Sequence, residues 1–200
     1  DDFFDALYPH RDTVRPIQVR HEQAAGYMAL GAALATGQPQ AYCVVPGPGF
    51  LNTTAALSTA YAVNAPVLAL IGQIPTGAID REYGLLHEIP NQEGILGSLT
   101  KHATRILEPE KAQSQLHEAL TALVNGRPRP VGIECPMNIW GSEVGSDSTL
   151  LPLEITPCAP STDAIELAAA LLERSEHPLI IVGGGAQHAS AEVTELAERL

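Results

Sequence analysis

The sequence predicts an α/β fold in which helices sandwich a parallel sheet. Apolar runs of strand length, such as Val67–Ile71, alternate with helix-length segments between residues 17 and 135. Strands that are separated by helices favour parallel pairing with right-handed crossovers. The chain has 200 residues, of which 45% are hydrophobic, so it is long enough to bury a substantial core.

Local patterns justify each element in turn. The first long helix ends at Gly37, a residue suited to a helix C-terminus, and Pro109 suits the first turn of a helix that ends at Asn125-Gly126. The segment 72–92 is polar and long for a connection, which indicates a functional loop. The predicted strands are 17–19, 41–45, 67–71 and 131–135, and the predicted helices are 21–35, 51–63, 94–99 and 109–126.

Residues 141–162 are rich in Gly, Ser, Pro and Thr, a composition typical of a linker. The sequence therefore predicts a first α/β domain over residues 1–140 and a second that starts at residue 163. In the second we expect a helix over 163–174, a strand over 179–182 and a helix over 189–200. Because these elements cannot complete a domain, we expect 163–200 to be the truncated start of a central, Rossmann-like domain.

Both ends of the chain resemble interrupted helices. The opening DDFFDALYPH is typical of the last turns of a helix, and the closing AEVTELAERL lacks a stop signal. We therefore expect a piece of a longer protein, without the extreme N-terminus of its first domain.

Charge and cysteine content exclude several function classes. The formal net charge of −12 argues against a nucleic acid or an anionic membrane surface as partner. No apolar run is long enough to span a bilayer, and no signal peptide is recognisable. The widely spaced Cys43, Cys135 and Cys158 fit neither a disulfide framework nor a zinc site, so we expect a reducing, cytoplasmic setting.

Glu22 is an unusual residue to open a helix of small apolar side chains. Its neighbours at helical spacing are Ala25, Gly26, Ala29 and Ala33, and none of them can pair with a carboxylate. The carboxylate therefore occupies the face that is predicted to pack inward, where an unpartnered charge is costly. The alternative is a solvated carboxylate that the helix dipole favours.

The segment PGPGFLN, residues 46–52, lies between a predicted strand and a predicted helix. A glycine turn there allows close approach of a ligand to the backbone. It is not a P-loop, because no Gly-Lys-Ser/Thr follows, and the third glycine of the dinucleotide pattern is replaced by Asn52. A tight turn that Asn52 or Thr53 caps is the alternative.

Five ordered segments together resemble the pyrimidine-binding domain of thiamine-diphosphate enzymes, and in particular the acetolactate synthase-like 2-oxo acid decarboxylases and carboligases. The resemblance covers roughly residues 3–140, and residues 160–200, with PLIIVGGGA, resemble the start of that family's central domain. The segments are RHEQAAGYMALGAALATG, VVPGPGFLNTTAALSTAYAVNAPVLALIGQ, LLHE, LTKH and RPRPVGIECPMNIW.

The resemblance implies a catalytic role for Glu22. In the family, the glutamate of the His-Glu-Gln stretch shares a proton with a ring nitrogen of the coenzyme's aminopyrimidine, which helps to activate the coenzyme for attack on a 2-oxo acid. Such a carboxyl group is expected in a dry pocket that raises its pKa. His21, which precedes it, is expected to cap or orient the helix.

The resemblance implies further site residues with less force. Gly47, Pro48, Gly49 and Asn52 match a Gly-Pro-Gly-x-x-Asn segment that lines the pyrimidine end of the pocket, and Gln73 matches a glutamine close to the active centre.

Three other positions bear on the substrate. His87, with Leu86, stands where acetolactate synthases usually show Phe-Gln, a departure that puts the pyruvate-specific reaction in doubt. A histidine there could relay protons to or from the intermediate, or could be merely structural. Pro46 replaces a small residue, and Lys101 matches a lysine near the substrate channel or is simply solvated.

The resemblance also implies components beyond this chain. The family's Gly-Asp-Gly and Asn-Asn motifs for Mg²⁺ and diphosphate do not occur here, so the metal ligands are expected in a C-terminal domain. FAD, which acetolactate synthases bind in the central domain, stays undetermined. We expect a homodimer or homotetramer with its active site between subunits.

Two alternatives remain open. One is a benzoylformate- or oxalyl-CoA-type decarboxylase of the same superfamily, which a substrate screen would distinguish. The other is a non-catalytic α/β module that binds a ligand without the chemistry.

Overall fold

A computed structural model describes residues 2–144, 152–156 and 159–200. The chain divides between residues 157 and 158 into two compact units. Residues 145–151 and 157–158 of the predicted linker 141–162 lie outside the described residues, and the predicted domain bounds stay a prediction.

The first unit is built on a four-stranded parallel sheet. The strands are β1 (Gln40–Val44), β2 (Val67–Gln73), β3 (His102–Arg105) and β4 (Val131–Pro136), and their order in the sheet is β1-β2-β4-β3. All three pairings are parallel, and β4 is hydrogen-bonded on both sides, to β2 and to β3. The predicted α/β class with a parallel sheet is confirmed.

Helices cover both faces of this sheet. One face carries a core built from β1, β2 and the long helix after the N-terminal segment, with Phe50 and Leu96 fully buried in it. The other face packs against Ala119 and Leu123. The helices of this unit are α1 (Asp2–Leu7), α2 (Glu22–Thr36), α3 (Pro48–Leu51), α4 (Thr54–Ala62), α5 (Gln92–Leu99), α6 (Ala112–Val124) and α7 (Met137–Trp140).

Alternation along the strands explains the two cores. On β2, Val67, Ala69 and Ile71 point to the first core, whereas Leu68 belongs to the second. Successive side chains of a strand face opposite sides, so a continuous apolar run supplies both layers. Glu134 lies within β4 between Ile133 and Cys135, which both face the second core, and it is therefore directed towards the first.

Three sequence predictions are wrong in detail. Residues 17–19 form no strand, and Ile17 is 64% exposed, so this short apolar segment is not part of the sheet. The predicted helix 51–63 is two helices, α3 and α4, separated at Asn52 and Thr53. The strand β3 was not predicted, since its sequence HATR is polar and half-buried at the edge of the sheet.

The second unit contains two helices, α8 (Thr162–Glu173) and α9 (Ser190–Arg199), as predicted. Ser161 caps α8 by accepting a hydrogen bond from the Ala164 amide at 3.2 Å. Residues 179–182 form no strand, and Leu179 and Ile181 are 83% and 87% exposed. A strand needs a paired neighbour, and the described part of this unit supplies none.

Among the helices of the described residues, none combines the length and apolar character that crossing a membrane requires.

Two glycines of α2 give a matched test of its packing. A Cβ at Gly26 would lie 2.8 Å from Cβ of Ala56 on α4, whereas a Cβ at Gly31 would meet nothing within 4 Å. We expect Gly26→Ala to lower the free energy of unfolding by about 1–3 kcal/mol through overpacking. Gly31→Ala should raise it by about 0.5–1 kcal/mol, because alanine restricts the unfolded chain and favours helix.

Thermal and urea unfolding of both variants measure these changes. Equal effects of the two substitutions would contradict close packing of α2 against α4.

Candidate functional site

The candidate site lies at the edge of the sheet where the parallel strands end. The loop after β1 leads into α3, and the long loop after β2 covers residues 74–91. Ligand sites of open α/β sheets occur preferentially at this edge. We call residues 46–49, Pro-Gly-Pro-Gly, the glycine loop.

Glu22 is the first residue of α2. The preceding His21 has an extended backbone, and its Nδ1 accepts a hydrogen bond from the Gln23 amide at 3.2 Å, so it caps the helix as predicted. This cap places the Glu22 side chain in the first helical turn, where the helix dipole favours a negative charge.

The Glu22 carboxylate meets two residues that follow β1. Nδ2 of Asn52 donates to Oε2 of Glu22 at 3.0 Å. Cγ of Glu22 lies 3.7 Å from the position that a Cβ of Gly49 would occupy, and that Cβ would also overlap Val45. Glycine at position 49 is therefore required by the contact with Val45, and it lies beside the aliphatic part of the Glu22 side chain. The structure thus brings together three of the predicted site residues.

The pKa of Glu22 corrects one prediction. We expected a dry pocket that raises the pKa, but in this structure the side chain is half-buried and its pKa lies below the ordinary value. Its own backbone amide is the largest cause, the Asn52 amide is the second, and partial burial opposes both. Positive charge on His21 and His87 lowers the pKa further. Donors stabilise the ionised form more than partial desolvation disfavours it.

The backbone of the glycine loop closely contacts the loop after β2. Gly47 has φ 61° and ψ −120°, a conformation that side chains rarely adopt. A Cβ there would overlap the carbonyl of His87, whose own φ is 71°. The two loops thus touch through their backbones, and this contact brings His87 beside the glycine loop. Pro48 forms the first residue of α3.

Gln73 is the last residue of β2, and its side chain is buried. Its Oε1 accepts from the Ile74 amide at 2.7 Å, and its Nε2 donates to Glu134 at 3.3 Å. Gln73, Gln92 and Arg105 line a cavity of about 420 Å³ beside the long loop. The Gln73 amide is thus committed to internal partners, away from the group around Glu22.

Sequence reasoning missed a buried polar cluster beneath these loops. Gln92 is 1% exposed and Glu134 is 0% exposed, and Nε2 of Gln92 donates to Oε1 of Glu134 at 2.6 Å. Nε of Arg105 pairs with Oε2 of Glu134 at 2.5 Å. The signal was an acid inside the apolar strand VGIECP, which requires partners when buried.

Lys101 lies elsewhere. It precedes β3 and so sits at the amino edge of the sheet, opposite the candidate site. Its Nζ donates to the carbonyls of Ala122 and Arg127 at 2.7 and 3.0 Å, near the end of α6. Desolvation first, and then Arg129, lower its pKa. In this structure it caps the C-terminus of α6, and its predicted place near a substrate channel stays a prediction.

The described cysteines are poor nucleophiles. Burial raises the pKa of Cys43 to about 11 and that of Cys135 to about 12, so both are neutral thiols at pH 7. Over residues 2–144, 152–156 and 159–200, no group of three or more His, Cys, Asp or Glu side chains is placed to hold a metal ion.

Comparison with known families matches residues 1–95 to the thiamine pyrophosphate enzyme, N-terminal TPP binding domain. The chain is 32% identical over 188 residues to a probable 2-ketoarginine decarboxylase, AruI, of Pseudomonas aeruginosa, covering 94% of this chain and 34% of that protein. It is 36% identical over 204 residues to a probable acetolactate synthase large subunit of Methanocaldococcus jannaschii, covering 98% of this chain and 34% of that protein. The chain thus spans about a third of the length of these relatives.

A solved structure supports the same fold. It is that of a thiamine diphosphate-dependent 4-hydroxybenzoylformate decarboxylase of Rhodococcus jostii RHA1, with a TM-score of 0.81 over 90% of this chain and 34% of that one. Sequence identity is 23%, so this likeness concerns the fold alone.

The pKa of Glu22 offers a direct test of the site geometry. We expect Asn52→Ala to raise it towards the ordinary value, because the side-chain donor to the carboxylate is lost. A folded-state pKa below the unfolded value stabilises the protein above the unfolded pKa, and this stability is lost as the pH falls through the folded pKa. Asn52→Ala should therefore also weaken the dependence of the free energy of unfolding on pH in the acidic range.

An NMR titration of the Glu22 carboxyl carbon measures the shift. Asn138→Ala is the matched control, because that exposed asparagine bonds to Thr76 instead. An unchanged Glu22 pKa in Asn52→Ala would contradict the contact.

Proposed function

The chain belongs to the thiamine pyrophosphate enzyme family, and from this premise we propose that it forms the pyrimidine-binding half of a coenzyme site. The whole enzyme is proposed to decarboxylate or ligate 2-oxo acids. The observation that carries the proposal is the carboxylate of Glu22, which sits beside Gly49 and accepts a hydrogen bond from Asn52 at the carboxyl edge of the sheet.

The residues around Glu22 fit a flat nitrogen heterocycle. A carboxylate suits a protonated ring nitrogen, and the glycine at position 49 leaves room for Val45 to pack beside the Glu22 side chain. Gly47, Pro48, Gly49 and Asn52 would hold the pyrimidine end, and Gln73 would support the adjoining strand end. When bound, thiamine diphosphate would supply the carbanion chemistry that 2-oxo acid decarboxylation needs.

Glu22 would hold and exchange a proton with that ring. The hydrogen bonds that lower its pKa favour the ionised carboxylate, the form that can accept a proton. Covering the site by the rest of the enzyme would remove water from the half-buried side chain and raise its pKa. A general acid or base is most effective when its pKa lies near the working pH.

His87 is proposed as a second proton-transferring group. Its backbone packs on Gly47, and positive charge on His87 contributes to the lowered pKa of the Glu22 carboxyl. An imidazole changes its charge between about pH 5 and 8, which suits proton relay to a substrate.

Other components are proposed to lie beyond these residues. Mg²⁺ and its ligands would belong to the part of the enzyme that holds the diphosphate, and the central domain could bind FAD. We propose a homodimer or homotetramer in which a partner subunit completes the site. The free thiols of Cys43 and Cys135 are consistent with a reducing, cytoplasmic setting.

Replacing Glu22 tests the proposal in the complete protein. Glu22→Gln keeps the shape but cannot exchange the proton, and we expect turnover of 2-oxo acids to fall about 10²–10⁴-fold. A screen that includes pyruvate, 2-ketoarginine, benzoylformate and oxalyl-CoA would identify the substrate first. Steady-state kinetics and calorimetric titration with thiamine diphosphate provide the measurements.

Glu118→Gln is the matched control, because it removes an exposed carboxylate on α6 and should leave turnover unchanged. Near-normal turnover of every accepted substrate by Glu22→Gln would refute the proposal. Coenzyme binding without any turnover in the parent would favour the non-catalytic module.

The proposed role of His87 has its own signature. We expect His87→Gln to lower kcat about 10–100-fold and to change the pH–rate profile of the parent enzyme, because an amide cannot transfer the proton. His177→Gln, in the second unit, serves as control. An unaltered pH profile would assign His87 a purely structural role.

A further inference from the structure

Gln92 occupies an unusual position for a neutral polar residue. It is the first residue of α5, it is 1% exposed, and it contacts three separate chain segments. Its Oε1 accepts from the Gly47 amide at 2.6 Å, and its Nε2 donates to the Gly72 carbonyl at 3.1 Å and to Glu134 at 2.6 Å. One side chain thus links the glycine loop to β2 and β4.

The chemistry of these contacts requires an amide. The Gly47 N–H needs an acceptor, whereas the Gly72 carbonyl and the Glu134 carboxylate both need donors. A carboxylate at position 92 would oppose Glu134. An aliphatic side chain would remove the side-chain acceptor of the Gly47 amide and one donor each from the Gly72 carbonyl and from Glu134. An asparagine is one methylene shorter and cannot reach all three.

The Glu134 side chain is held by further partners besides Gln92. Glu134 is held by Arg105, which also lies 3.4 Å from Glu93 of α5, and it accepts from Gln73 as well. The Glu134 carboxylate is therefore fixed on both oxygens. The Gln92 amide bonds to Glu134 through Nε2 and to Gly47 through Oε1. The fixed position of Glu134 therefore also limits where the Gly47 amide can lie.

The contact with Gly47 determines where the glycine loop lies. Gly47 is wedged between the Gln92 amide and the His87 carbonyl, and Gly49, two residues on, borders Glu22. A shift of Gly47 would move Gly49 relative to the carboxylate. The loop's position thus depends on a residue that lies outside the group around Glu22.

We propose that Gln92 is a positioning residue, whose amide holds the glycine loop at the separation from Glu22 that the coenzyme's ring requires. This inference rests on the proposed function for its link to the coenzyme, but its structural half concerns Gly47 alone. Glu134 and Arg105 provide the anchor, and neither touches the ring.

The experiment compares four variants of the complete protein. Gln92→Glu opposes Glu134, and Gln92→Met keeps the length of the side chain without its polar atoms. The double variant Gln92→Glu with Glu134→Gln restores the contact between positions 92 and 134 and the acceptor for Gly47. Gln115→Leu is the matched control, because Gln115 is partly buried with two donor contacts on Thr104 and Arg105, away from the glycine loop.

Amide hydrogen exchange of residues 45–51 and calorimetric titration with thiamine diphosphate are the two readouts. Loss of a buried hydrogen bond corresponds to about tenfold in an equilibrium constant. We therefore expect both single variants at Gln92 to exchange at Gly47 about tenfold faster and to bind the coenzyme about tenfold more weakly. The double variant should recover part of both losses, and the control should match the parent in both.

Each outcome decides the inference. Exchange and coenzyme affinity that equal those of the Gln115→Leu control, even with lowered thermal stability, would overturn it. If Gln92→Glu fails to fold, Gln92→Met decides in its place. If the parent itself does not bind thiamine diphosphate, the proposed function fails, and Gly47 exchange alone decides whether Gln92 positions the loop.

Discussion

A buried carboxylate in the middle of a parallel sheet is the constraint on which this structure depends. Glu134 is fully inaccessible, so its charge must be met by Arg105 and by the amides of Gln73 and Gln92. Removing one partner of such a group costs more than the pair contributes, because an uncompensated charge remains. These partners come from β2, β3 and α5. The loops around the candidate site are therefore held in place by the contacts of this buried polar cluster.

The periodic and strongly apolar elements could be predicted from sequence, and the polar ones could not. The alternation that gives β1, β2 and β4, and the Gly37 signal that ends α2, are local properties of the chain. The strand β3 forms because β4 offers a free edge, which no pattern within HATR reveals. The role of Gln92 could not be predicted for a similar reason, because its three hydrogen-bond partners come from distant parts of the chain.

For the candidate site, the residues that meet could be predicted from the sequence, but their environment could not. Glu22, Gly49 and Asn52 were predicted from family-like motifs, and the structure brings them together. The predicted environment of Glu22 was wrong for the chain as described, because donors at the start of α2 outweigh the small desolvation of a half-buried group. A motif specifies which side chains meet, whereas the dielectric around them also depends on what later covers the edge of the sheet.

The backbone contact between Gly47 and His87 divides the long loop after β2 into two parts with different freedom. Residues 87–92 are pinned at both ends, by the Gly47 contact and by the Gln92 amide, whereas residues 81–86 are exposed throughout. Side-chain replacements in the exposed stretch should therefore disturb the glycine loop less than replacements in residues 87–92. The architecture therefore joins a firmly held segment beside the glycine loop to a neighbouring segment whose side chains face solvent.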